Sequence, residues 1–111
     1  MAKKEIIKLK KVLSKALKDK GISVSQIILF GSSAKGKARE DSDIDIIIVS
    51  KDFRNKDIFE KAELTRGIHR ELVKQIMRPF DILYYSDVDW RIGHSLIIHA
   101  AKIDGQVIYY E

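Results

Sequence analysis

Gln26-Ile27-Ile28-Leu29-Phe30-Gly31-Ser32 and Asp43-Ile44-Asp45-Ile46-Ile47-Ile48-Val49 are the stretches on which the fold turns. The first is a short, β-branched apolar run ending at glycine, the pattern of a buried strand that runs into a turn. The second is apolar on both faces from Ile46 onward, so the strand read over 43–50 belongs in the middle of a sheet. Alternate residues of a strand share a face, so Asp43 and Asp45 project together while Ile44 turns to the core.

Outward from these strands the pattern alternates between the helical and strand periods. A first helix is expected from Lys3 to Lys20, with Ile6, Leu9, Leu13, Ala16 and Leu17 on one side and Gly21 as its stop. The segment 31–42 reads as a loop with one helical turn at most. A long helix is expected from Lys56 to Met77, its apolar side made by Ile58, Ala62, Ile68, Leu72 and Ile76, with Gly67 a weak point inside it. Pro79 forbids continuation. Phe80–Tyr85 follows as a strand, then a helix capped by Ser86 or Asp87 and running to Lys102, then a last strand over Gln106–Tyr110. The expected fold is therefore α/β (α+β), a mixed β-sheet with helices packed on it, in one domain over residues 1–111.

Composition bounds the function. The 111 residues are 45% hydrophobic and 33% charged, enough for one packed core and far from the profile of a disordered tail. Without cysteine, neither a disulfide framework nor a thiolate metal site is available. No apolar run nears the roughly 20 residues of a membrane span, and no signal peptide is recognisable, so a cytoplasmic protein without a membrane partner is expected. The net charge of +5 suits a polyanionic ligand. Eight lysines fall within the first twenty residues, however, where they form the wet side of the first helix.

Three features carry chemistry. Gly31-Ser32 lets the chain turn sharply and lets a phosphate approach backbone amides, with a hydroxyl donor beside them. Two carboxylates as close as Asp43 and Asp45 repel unless a cation lies between them, and hard oxygen ligands suit Mg²⁺. Asp81, conspicuous among Phe80, Ile82 and Leu83, joins the pair if its strand lies beside theirs. Three such carboxylates can hold two ions ~4 Å apart to bind a triphosphate and stabilise a leaving pyrophosphate, with Asp81 helping to deprotonate the acceptor.

The run from Phe30 to Ile46 resembles the signature of the DNA polymerase beta-like nucleotidyltransferase superfamily: Gly-Ser, a spacer of about ten residues, and Asp-x-Asp on a strand. Here the ten residues 33–42 separate Ser32 from Asp43. The short chain and its Gly-x-Val-Ile-Tyr ending resemble the minimal nucleotidyltransferases (MNT). The resemblance implies that Gly31 and Ser32, with Ser33 and Lys35 nearby, hold the triphosphate of ATP, and that Asp43, Asp45 and Asp81 ligate Mg²⁺ and carry the reaction. Many relatives have arginine soon after Gly-Ser; this chain has Ser33 and then Lys35, a point charge without arginine's bidentate fork. The resemblance also implies a partner. Many MNT proteins of this kind pair with HEPN-domain toxins as their antitoxins, and some transfer AMP to a tyrosine of the toxin. A homo- or hetero-oligomer is compatible with this.

Other functions fit parts of the pattern. The same fold could inhibit a partner by binding alone, or modify a small molecule, although small-molecule enzymes of this type usually carry extra helices. Direct nucleic-acid binding is not expected, since no recognised motif or stacking platform accompanies the basic helix. Asp87-Val88-Asp89 repeats the Asp-x-Asp spelling without Gly-Ser upstream and reads as helix-cap and first-turn acids. Lys35, Lys37 and Arg39 read equally as phosphate contacts or as a solvated loop, and Asp41 reads as a loop acid. His69, His94 and His99 have no metal-ligand spacing and read as surface or packing residues. Tyr84, Tyr85, Tyr109 and Tyr110 read as strand aromatics, the last two hinting at a protein contact surface.

Overall fold

The computed structural model describes residues 1–31 and 43–111. Its elements are α1 (Lys3–Asp19), β1 (Gln26–Phe30), β2 (Ile44–Val49), a 3₁₀ turn (Lys51–Phe53), α2 (Ile58–Leu64), α3 (Ile68–Ile76), β3 (Phe80–Tyr85), α4 (Asp87–Ile92), α5 (Leu96–Asp104) and β4 (Gln106–Tyr110). The four strands form one mixed sheet in the order β3-β2-β1-β4. β1 runs antiparallel to both β2 and β4, whereas β2 and β3 are parallel. The apolar β2 is interior, as its sequence predicts.

Alternation along the strands divides the core into two layers. Ile27 and Leu29 of β1 and Ile44, Ile46 and Ile48 of β2 face α1 and α3, where Leu9, Leu13, Leu17, Ile68 and Leu72 meet them. Ile28, Ile47 and Val49 face the other way, against Trp90 of α4 and Ile98 and Ala101 of α5. Among the described residues, no helix is long and apolar enough to cross a membrane.

Two expected helices are each broken in two. The helix expected over 56–77 stops at Leu64 and restarts at Ile68. Gly67 sits at φ +86° between the pieces, a left-handed conformation no helix interior adopts. The first piece, α2, buries no residue, and Ile58, expected on the apolar side, is 75% exposed. The second expected helix, from Ser86 to Lys102, stops at Ile92. Ser95 then caps α5, its Oγ accepting from Ile98 N–H at 3.0 Å.

Candidate functional site

The site begins with register. Asp45 lies opposite Asp81 in the parallel pairing of β2 and β3, and opposite Phe30 in the antiparallel pairing of β1 and β2. Side chains level with one another on adjacent strands share a face. Asp45 and Asp81 therefore emerge side by side at the starts of their strands, on the sheet face that carries α4 and α5. Gly31, the residue after Phe30, comes off β1 directly at Asp45. A Cβ built on Gly31 would overlap Asp45 Oδ2, and its φ of +69° is itself a conformation that side chains disfavour. Glycine thus lets the chain turn here in contact with a carboxylate.

Asp43 precedes β2, which starts one residue later than its sequence suggests, and its side chain is exposed. It still acts on its neighbour. The Asp45 carboxyl is held above the usual carboxylate range, first by burial, then by repulsion from Asp81 and from Asp43. The sheet thus brings Asp45 and Asp81 side by side, whereas Asp43 stands outside it and reaches Asp45 only through its charge. Ser32, Ser33 and Lys35, expected at the triphosphate, lie outside the described residues, as do Lys37, Arg39 and Asp41.

The donor set suits a hard divalent cation: its atoms are all carboxylate oxygens and they share charge of one sign. Among the described residues, no group of three or more His, Asp or Glu side chains forms a ready-made metal cluster. Asp43, exposed and outside the strand, is the member least fixed by the fold.

The second Asp-x-Asp serves the fold. Ser86 caps α4 by accepting from Asp89 N–H at 3.0 Å. Asp87 pairs with Arg54 through two hydrogen bonds, one of them Nε to Oδ1 at 2.7 Å, and this partner pulls its carboxyl down to about 2. His94 and His99 are exposed. His69 is exposed as well, but its Nε2 lies 2.9 Å from the Phe80 carbonyl oxygen, next to Asp81. Nothing in the helical spacing around His69 announces that contact, because its partner is a backbone oxygen.

Comparison with known proteins adds to this geometry. The family described as "Nucleotidyltransferase domain" matches residues 8–106. A Methanocaldococcus jannaschii protein named "Putative protein adenylyltransferase" is 49% identical over 81 residues, spanning 72% of this chain and 77% of that one. In fold, the chain is similar to a chain of a toxin–antitoxin crystal structure with AMP-PNP, at a TM-score of 0.65 and 21% identity, covering 91% of this chain and 73% of that one. It is also similar to a chain of the structure of tri-AMPylated Shewanella oneidensis HEPN toxin in complex with MNT antitoxin, at a TM-score of 0.60 and 19% identity, covering 96% and 73%. At these identities the two structures speak to the fold, which is that of the nucleotidyltransferases.

Proposed function

The chain belongs to the nucleotidyltransferase domain family, and from that membership we propose that it moves AMP from ATP to a tyrosine of a HEPN-domain partner, as the antitoxin of a toxin–antitoxin pair. The observation that carries the reading is the alignment of Asp45 with Asp81 on adjacent parallel strands, with Gly31 turning against Asp45. The name of the M. jannaschii relative supports AMP as the group moved and a protein as its acceptor. The toxin–antitoxin neighbours support a HEPN-type partner.

In this reading residues 1–111 act as one domain. Gly31 lets its backbone approach the triphosphate without a side chain between, and Ser32, Ser33 and Lys35 add donors around it. Asp43, Asp45 and Asp81 hold Mg²⁺, which when bound offsets the charge of the triphosphate and of the leaving pyrophosphate. The acceptor's hydroxyl oxygen attacks the α-phosphorus and forms the new P–O bond. The bond to the pyrophosphate oxygen breaks, and the hydroxyl proton passes to the Asp81 carboxylate.

The test is co-expression with a HEPN-domain protein encoded beside this chain, followed by an intact mass of that protein. One or more added AMP masses, absent with Asp43→Asn, is the expected result. An unmodified partner held in a tight complex would replace transfer by inhibition through binding alone.

A further inference from the structure

Among the described residues β3 is the last strand on its side of the sheet, and β2 alone grips it by backbone hydrogen bonds. Backbone groups alternate in direction along a strand. Ile44 N–H donates to Pro79 O at 2.9 Å, and Ser50 N–H donates to Tyr85 O at 3.0 Å. The odd-numbered residues of β3 therefore turn their backbone groups toward β2, and Phe80, Ile82 and Tyr84 turn theirs to the open edge. Side chains from the flanking helices reach two of those outward carbonyls. Lys61 Nζ of α2 donates to Tyr84 O at 2.8 Å, at the end of the strand far from the aspartates. His69 of α3 reaches Phe80 O at 2.9 Å, at the near end. A carbonyl only accepts, so Nε2 carries the hydrogen in this bond.

We propose that His69 is a positioning residue for Asp81. The Phe80 carbonyl belongs to the planar peptide unit whose nitrogen is that of Asp81, so holding its oxygen limits rotation of the unit from which the carboxylate departs. The Ile44–Pro79 bond holds the preceding peptide from the β2 side. The first two residues of an edge strand are thereby gripped from both flanks, at the place where such a strand would otherwise fray. The fold itself has other support here, since Phe80 is buried in the core facing α1 and α3. What the His69 bond adds is the direction of one carboxylate. This inference rests on the reading of Asp81 as a carboxylate of the reaction.

Binding of Mn²⁺, followed by its electron paramagnetic resonance signal in the presence of a non-hydrolysable ATP analogue, tests it without an acceptor. His69→Ala is expected to weaken Mn²⁺ binding about tenfold, the usual scale for losing a group that orients a ligand, with an unchanged melting temperature. His69→Gln, whose amide nitrogen falls where Nε2 was, is expected to stay within about twofold of the parent, the donor being retained. His69→Glu matches Gln in length, lacks the donor, and is expected to behave as Ala does. Parent-like binding by His69→Ala beside impaired binding by Asp81→Asn would overturn the positioning role and leave the reading of Asp81 intact. Equal loss in the Gln and Ala variants would overturn it too, because the donor would then not matter. Parent-like binding by Asp81→Asn would remove the reading of Asp81 itself, and the role of His69 with it.

Discussion

Gly31 carries two constraints at one position. Its φ of +69° disfavours any side chain, and the space a Cβ needs is taken by the Asp45 carboxylate. Relief of the overlap would have to come from moving Asp45 or the turn, and both lie at the site. Gly31→Ala is accordingly expected to lower stability by about 1–3 kcal/mol, the scale of local backbone strain. It is expected to lower transfer by on the order of 100-fold, because displacing reacting groups by an ångström costs that much. Melting and transfer measured on the same preparation check both; an alanine variant as active as the parent would remove the close approach from the mechanism. At this scale the sequence was readable in part. Gly31, Asp43 and Asp45 stand out because a turn, a spacer and alternate acids occur in one continuous stretch. Asp81 becomes part of the same group only through the pairing of β2 with β3. His69 was not readable, since its contact depends on which strand lies at the sheet edge.

Among the elements, the strands were more legible than the helices. Each strand is a run of apolar residues with punctuation at both ends, and the start of β2 moved by a single residue. The helical period, by contrast, passes through a break when the residues on either side keep its phase. Ile68 and Leu72 continue a stripe begun at Ile58 and Ala62, yet only Ile68 and Leu72 are buried. Gly67 decides the matter, and a substitution there separates the two descriptions by sign. In an uninterrupted helix, Gly67→Ala would stabilise by about 1 kcal/mol through helix propensity. With Gly67 at φ +86° and no atom within 4 Å of the added Cβ, the variant meets no clash but must hold a disfavoured conformation. The expected outcome is destabilisation by about 1 kcal/mol, read from the shift of the urea midpoint at constant slope.

For the molecule as a whole, the charge gathered at Asp45 sets stability against the proposed function. The raised pKa of Asp45 means that the folded state holds its proton more tightly than the unfolded chain does. A carboxyl of this kind favours the fold while protonated. That contribution is complete below the unfolded pKa of 3.8 and is lost as pH rises through the folded value. At neutral pH the charged Asp45 therefore works against folding, through partial burial and through repulsion from Asp81 and Asp43. Asp45→Asn keeps the shape and removes the charge, so in a chelating buffer near pH 7 it is expected to melt a few degrees above the parent. Lowering the pH toward 4 should narrow that gap, because the parent then gains the proton that the variant does not need. Added Mg²⁺ should reverse the order, since an ion that binds only the folded parent raises its melting temperature by mass action while the variant has lost a ligand. Melting curves of both proteins, with chelator and with Mg²⁺, decide the question. A parent that already melts above Asp45→Asn in chelator would show that the aspartates support the fold instead of straining it.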